Sequence, residues 1–436
     1  MQKEQNTSLI WFTNNLRTHD NSTLTKAIAN SNQVMGLYCF NPNHFKTDDF
    51  GFKKTEKFRA KFLIETITDL KQKLSQLNIP LFVYNKKPED IIPQLVTKNN
   101  INNIYLQDEW TYEEVETFNK VKRQLPKHIK FTTSYNQFLF HPEDIPFTIN
   151  QLPKIFTEFR KTCEKSVRVR PEIITPTNQA KNLLIKNETI VPTLSDLGFE
   201  DFEQHTNTAF PFKGGETEAL NRLQDYFFNT KKLGFYKKTR NGLLGKDFSS
   251  KFSPWLANGS ISAKHVYYKV KQFENLYFKN DSTYWLVFEL IWRDYFKYVS
   301  MKFGNQIFKI DGILNNKYTW INNQEEINNW INGKTPEPFV NANMIELKKT
   351  GWMSNRGRQN VASYFAKSMN LDWRIGAAYF ESLLLDYDVH SNYGNWMYVA
   401  GVGNDPRDRK FNVKLQAERY DSNGKYQRLW LQDTLF

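Results

Sequence analysis

Ser8-Leu9-Ile10-Trp11-Phe12-Thr13, close to the start of the chain, is a short apolar run whose length and residue types suit a buried strand. Runs of the same kind recur at residues 34–40, 81–84, 101–106 and 129–133, and helical periodicity fills residues 55–77 and 112–125 between them. This alternation is that of βαβ units. It predicts an α/β N-terminal domain, a Rossmann-like parallel sheet covered by helices, over residues 1–133. A ligand of such a sheet sits outside the carboxyl ends of its strands. No GxGxxG or GxxxxGK[ST] follows the first run, so no motif supports an ordinary dinucleotide or nucleoside triphosphate site.

Beyond this alternation the pattern changes twice. Residues 134–210 carry prolines at 142, 146, 153, 171, 176 and 192, with another following at 211, little periodicity and no net charge, and read as an interdomain linker. From residue 211 to 436 the pattern is helical, with segments at 216–228, 262–275, 283–303, 360–369 and 376–386 and no clear strand. An all-α C-terminal domain is expected there.

Charge and tryptophan follow the same division. The chain carries a formal net charge of +13, of which residues 1–150 hold +3, residues 151–210 none and residues 211–436 +10. Nine of the 11 tryptophans, from Trp255 to Trp430, share that last segment. Basic charge with flat aromatic groups suits a polyanion whose bases stack, nucleic acid above all. A tryptophan-rich core beneath a solvated lysine surface explains the same counts. The first residues have no signal-peptide pattern, and no run of about 18 apolar residues occurs, so neither export nor a membrane span is expected. Two cysteines, Cys39 and Cys163, are too few for a disulfide framework and fit a reducing, cytoplasmic location.

Two stretches of the basic segment carry candidate chemistry. Phe248-Ser249-Ser250-Lys251-Phe252-Ser253-Pro254-Trp255 places three hydroxyls and an ammonium ahead of a proline-started helix, a setting suited to phosphate or pyrophosphate, or to a plain N-cap with a spare lysine. Asp386 and Asp388 could grip a ribose, a metal or an arginine such as Arg358. Without a companion carboxylate or histidine cluster no metal is assigned, and a pair of polar loop residues is the alternative.

Taken in order along residues 8–412, Trp11-Phe12-Thr13-Asn14-Asn15-Leu16-Arg17-Thr18-His19-Asp20-Asn21, Tyr236, the 249–253 loop, Glu289-Leu290-Ile291-Trp292-Arg293, Gly351-Trp352-Met353-Ser354-Asn355-Arg356 and the set Asp386, Asp388, Asn392 and Trp396 resemble the photolyase/cryptochrome flavoproteins. Thr239-Arg240-Asn241-Gly242-Leu243, residues 355–362 with Gln359, and residues 392–405 resemble its DASH-type cryptochromes. The resemblance implies a helical FAD-binding catalytic domain over residues 211–436. Tyr236, Ser249, Ser250, Lys251, Phe252 and Ser253 would hold the pyrophosphate and ribityl chain of FAD, Asp386 and Asp388 would lie along the flavin, Arg358 would pair with Asp386, and Arg293 would be close by. Asn392 would face flavin N5, where an amide can donate or accept.

The activity implied is that of a deoxyribodipyrimidine photo-lyase, in which blue light drives an electron from reduced FAD into a cyclobutane pyrimidine dimer and receives it back after the ring splits. Glu289 would hydrogen-bond the damaged bases, Trp292 would stack on them, Asn355 would line the pocket, and Arg240 and Arg356 would contact phosphates. Trp396, Trp373 and Trp320 match a relay that reduces the flavin from the surface, with stacked core tryptophans as the alternative. Two positions depart from double-strand-active photolyases: Tyr398 replaces a second stacking tryptophan, and Gln359 replaces an apolar residue. Such a wall compensates unstacking less, so single-stranded DNA is the expected partner. Ser354, Asn355 and Gln359 stand where (6-4) photolyases carry histidines, which disfavours that branch. The resemblance also implies an antenna, 5,10-methenyltetrahydrofolate, gripped by Glu109 or Glu113, although a first-turn glutamate also favours a helix dipole. A monomer is expected. The alternative function is a blue-light photoreceptor that binds nucleic acid or protein without repair.

Overall fold

The computed structural model describes residues 6–432 apart from Pro176 and Pro406. Five strands form one parallel sheet: β1 (Thr7–Trp11), β2 (Gln33–Cys39), β3 (Leu81–Tyr84), β4 (Ile101–Gln107) and β5 (Lys130–Ser134), in the spatial order β3-β2-β1-β4-β5. The order reverses at β1, which pairs Ser8 with Val34 on one side and Leu9 with Ile104 on the other. Four helices connect the strands: α1 (Ser22–Asn30), α2 (Lys57–Gln76), α3 (Pro88–Lys98) and α4 (Tyr112–Gln124). The period of two along β1 divides its side chains between two cores. Ile10 packs with residues of α1 and α2 such as Leu24, Ile67 and Leu70, whereas Leu9 and Trp11 pack with Ile91 and Ile92 of α3 and Val121 of α4. The expected α/β architecture is present.

Among the described residues of 134–210 there is one α-helix, α5 (Phe156–Ser166). The rest is helical: α6 (Glu216–Gln224), α7 (Tyr236–Thr239), α8 (Ser253–Ala257), α9 (Ala263–Leu276), α10 (Asp281–Phe303), α11 (Gln324–Ile331), α12 (Pro338–Thr350), α13 (Asn355–Ser363), α14 (Trp373–Leu383), α15 (Val389–Ala400), α16 (Val413–Tyr420) and α17 (Lys425–Gln432). Two boundaries differ from the sequence expectation and matter for the site. The helix expected to reach residue 386 stops at Leu383, because Asp388 takes the N-cap of α15 and accepts from the Ser391 backbone N–H at 2.8 Å. The proline-started α8 is a single short turn, so its dipole contributes little at the 249–253 loop. No helix among the described residues is long and apolar enough to cross a membrane.

The two halves meet around Arg17, in the loop after β1. This side chain is 2% exposed. Its guanidinium donates to the carbonyls of His19 (3.0 Å), Asp20 (2.8 Å), Asn136 (3.0 Å) and Gly259 (2.8 Å), joining the sheet, the connecting segment and the helical half. Gly259 has φ +75°, and a Cβ there would lie 2.0 Å from the Asn14 carbonyl oxygen. Deeper in, Asp294 of α10 accepts from the backbone N–H groups of Leu139 (2.9 Å) and Phe140 (2.7 Å). Arg17→Met removes the donor from four carbonyls and should cost about 3–5 kcal/mol, read by chemical denaturation of the full chain. A loss under about 1 kcal/mol would mean that other donors replace it.

Candidate functional site

A cavity of about 550 Å³ opens within the helical half. Its floor is the 249–253 loop, and one residue shapes that loop. The Arg222 side chain, on α6 and 2% exposed, donates from Nη2 to the carbonyls of Lys246 (3.0 Å) and Ser249 (3.1 Å) and from Nε to that of Ser250 (3.2 Å). Asp225 (3.0 Å) and Asp247 (3.1 Å) hold its Nη1. With these carbonyls tied back, Ser249, Ser250, Lys251, Phe252 and Ser253 all line the cavity, together with Tyr236. Lys251 adopts φ +63°, a left-handed conformation that costs a non-glycine residue and concentrates at functional sites. Its ammonium sits 4.6 Å from the Trp352 ring centroid, and burial pushes its pKa down.

The walls are supplied by α10, α13 and the turn into α15. Arg358 Nη2 lies 2.9 and 3.0 Å from the two oxygens of Asp386, while its Nε donates to the Met353 carbonyl at 2.9 Å. Burial raises the pKa of Asp388, but Lys297, 2.8 Å away, and the neighbouring His390 and Arg293 outweigh it and leave the carboxyl well below its ordinary range. Arg293 donates to the carbonyls of Gln137 and, at 2.8 Å, Leu256. At the mouth, Glu289 pairs with Arg240, and burial raises the pKa of Glu289 against that pairing. Trp292 stacks on Phe156 with centroids 3.6 Å apart and meets Tyr398 edge-on at 6.0 Å and 90°, so two cavity-lining rings form a corner. Asn355, Arg356 and Gln359 share the rim, with Arg356 Nη1 donating to Gln359 Oε1 at 2.9 Å. Ser391, Asn395, Asp405 and Arg409 also line the cavity, and sequence reading did not single them out.

Asn392, expected to face the flavin, is buried on α15 and is not among the residues that line the cavity; its Nδ2 donates to the Ala377 carbonyl at 3.0 Å. Of the three tryptophans, one is half-buried and two are buried. Trp320 is half-buried, and its neighbour Ile321 bridges to Leu371, which brings it beside the start of α14. Trp373 opens α14, is fully buried and donates to the Ile310 carbonyl at 2.9 Å. One turn on, Gly376 accommodates the Trp396 indole, whose Cη2 would stand 2.2 Å from a Cβ at that position. Ring contacts of Trp396 are to Phe380 (5.1 Å), Phe365 (6.0 Å) and Trp330 (6.3 Å).

A second cavity, about 600 Å³, lies between the two halves, at the carboxyl ends of β1, β2 and β4. Glu109 and Glu113 both line it. Burial pushes the Glu109 carboxyl up to about 7, with Glu114 adding to the effect, and its Oε1 accepts from Gln107 Nε2 at 2.7 Å. Glu113 pairs with Lys54. Arg293 and Asp388 line both cavities, so the two share a wall.

Comparison with known proteins agrees with this geometry. Residues 8–179 match the family model for DNA photolyase, and residues 285–434 match the model for the FAD binding domain of DNA photolyase. A cryptochrome DASH of Gloeobacter violaceus is 44% identical over 427 residues, covering 98% of this chain and 85% of the relative. One from Xenopus laevis is 45% identical over 423 residues, covering 96% and 81%. The crystal structure of a Synechocystis cryptochrome superposes with a TM-score of 0.93 at 42% identity, covering 99% of this chain and 90% of that one. The chain belongs to the photolyase/cryptochrome family and stands with its DASH cryptochromes.

The residues present fit the FAD that this family binds. Lining cations (Arg240, Lys251, Arg293, Arg356, Arg358 and Arg409) outnumber lining acids (Glu289, Asp386, Asp388 and Asp405) by six to four, as a pyrophosphate requires, and aromatic rings supply flat contact. Arg222→Met frees the carbonyls that face away from the cavity and should weaken FAD binding by at least about tenfold, read as the flavin-to-protein absorbance ratio after dialysis. An unchanged ratio would show that the loop holds its shape without Arg222.

Proposed function

We propose that this member of the photolyase/cryptochrome family uses blue light to repair cyclobutane pyrimidine dimers, preferentially in single-stranded DNA. The observation that carries this reading is the mouth of the helical cavity, where Glu289, Trp292, Tyr398, Asn355 and Gln359 converge above the 249–253 loop. Bound reduced FAD would supply the photoexcited electron, so the protein needs no nucleophile and its residues bind, orient and exclude water. Tyr236, residues 249–253, Arg358 with Asp386, and Asp388 would hold FAD, with Asn392 behind them. The Trp292 and Tyr398 corner receives a flipped dimer on two flat faces. Burial keeps a proton on Glu289 more readily than on an exposed glutamate, which suits a hydrogen bond to a base carbonyl. Arg240 holds that carboxyl in place, and Arg240 and Arg356 at the rim suit phosphates.

Preference for single strands follows from the wall. A tyrosine and an amide at 398 and 359 compensate base unstacking less than a tryptophan and an apolar side chain would, and a single-stranded lesion has less stacking to lose. Trp320, half-buried, with Trp373 and Trp396, both buried, suit delivery of electrons toward the cavity. The interdomain cavity suits an antenna folate, with the half-buried Glu109 carboxylate accepting paired N–H donors of a pterin and Glu113 beside it.

Reduced protein under blue light should restore pyrimidines in a dimer-bearing single-stranded oligonucleotide, and Glu289→Ala should slow this by about 10–100-fold. Light-dependent binding with no loss of dimers would favour the photoreceptor reading instead. Because burial raises Glu109 to about 7 and the gripping form is the carboxylate, 5,10-methenyltetrahydrofolate retention should weaken as pH falls through about 7 and strengthen above it. Glu109→Gln should flatten that dependence, followed by the antenna absorption band after gel filtration.

A further inference from the structure

Away from both cavities, three side chains from distant parts of the sequence converge at the junction of the two halves. His19 lies in the loop after β1, Glu172 in the connecting segment, and His265 in the first turn of α9. Glu172 Oε1 is 2.9 Å from His19 Nε2 and 2.6 Å from His265 Nδ1, and the three ligand atoms lie within 4.8 Å of one another. The imidazoles meet edge to face with centroids 4.8 Å apart. We propose that His19, Glu172 and His265 form a binding site for a divalent transition cation, zinc in the first place, that fastens the connecting segment to both halves of the protein.

The donor set selects the class of ion. Two imidazole nitrogens and one carboxylate oxygen suit zinc and its neighbours, whereas magnesium and calcium require oxygen ligands throughout. Tetrahedral bonds of about 2.1 Å place neighbouring donors about 3.4 Å apart, so each N···O separation has to open by less than about 1 Å. Three protein ligands leave the fourth position to water, and side-chain exposures of 33% at His19 and 25% at Glu172 leave it a route in.

All three ligands are held from behind. The His19 backbone N–H donates to Glu216 Oε1 at 2.9 Å, and the His265 backbone N–H donates to Ser262 Oγ at 2.9 Å. Beside Glu172, the Ile173 backbone N–H donates to Asp20 Oδ1 at 3.0 Å and its carbonyl accepts from the Asp20 N–H at 3.2 Å. The second ring nitrogen of His19 lies 3.3 Å from Thr175 Oγ1, an outer partner of the kind that orients metal-bound histidines. The nearby lysines do not leave an uncompensated positive field. Lys264 pairs with Asp20 at 2.7 Å, and Lys73 stands 4.0 Å from Glu216.

The test is zinc titration of the tag-free, flavin-loaded full chain against a chromogenic chelator. One equivalent per chain is expected, with an accompanying rise in thermal midpoint and no competition from magnesium. His19→Ala, His265→Ala and Glu172→Gln should each weaken uptake by more than about tenfold and abolish the thermal rise, while Thr175→Val weakens uptake by up to about tenfold. His128→Ala, at a separate surface groove, should leave uptake unchanged. Absence of stoichiometric uptake would overturn the proposal, as would undiminished uptake in both histidine variants. Should a histidine variant fail to fold, Glu172→Gln, which preserves shape and hydrogen-bonding atoms, decides between the same two results.

Discussion

A buried guanidinium holds the two halves of this protein together. Arg17 spends its donors on carbonyls from the sheet loop, the connecting segment and the helical half, and no aliphatic side chain could satisfy those acceptors in its place. The close approach at Gly259 lets the helical half come near enough for this to happen. The interdomain cavity is a consequence, since its walls come from strand ends on one side and from α10 and the turn before α15 on the other. The histidine and glutamate cluster sits only two residues from the same arginine, so both features depend on one junction.

A second arginine does for the helical cavity what Arg17 does for the junction. Arg222 gathers the carbonyls of the 249–253 loop on one side, which leaves hydroxyls and an ammonium for the other. The left-handed backbone of Lys251 belongs to this arrangement: the loop accepts local strain in order to present a cation to the cavity. In both places a fully buried positive charge, surrounded by backbone oxygens, fixes the path of an irregular segment. Regular elements then carry the side chains that line the cavity.

Much of this was legible in the sequence. The β-branched and apolar runs announced the sheet, because each strand is a contiguous segment whose side chains face two cores, as Leu9 and Ile10 do. The site positions that share the helical cavity were legible through the resemblance, which preserves order and spacing but not distance. Composition had left open whether tryptophans fill cores or line a partner surface. The structure divides them, with Trp255, Trp330, Trp373, Trp396 and Trp430 fully buried and Trp292 and Trp352 on the cavity. What stayed hidden was long-range. Arg17 reaches a carbonyl 242 residues away, and Glu172 meets partners 153 and 93 residues away. Arg222 carries no sequence signal either, because its partners include backbone oxygens, which have no residue-type signature. The early end of α14 escaped for a local reason: Asp388 gains more by capping α15 than by extending the helix before it.

The wall common to the two cavities constrains how such a protein can diversify. Arg293 and Asp388 each face both, so an inherited change at either position is pleiotropic: reshaping the interdomain chamber disturbs the helical chamber as well. Innovation is therefore channelled to the sheet side of the chamber, where Asn14, Asn41 and Glu113 answer to one occupant alone. A designer grafting a new ligand would begin there.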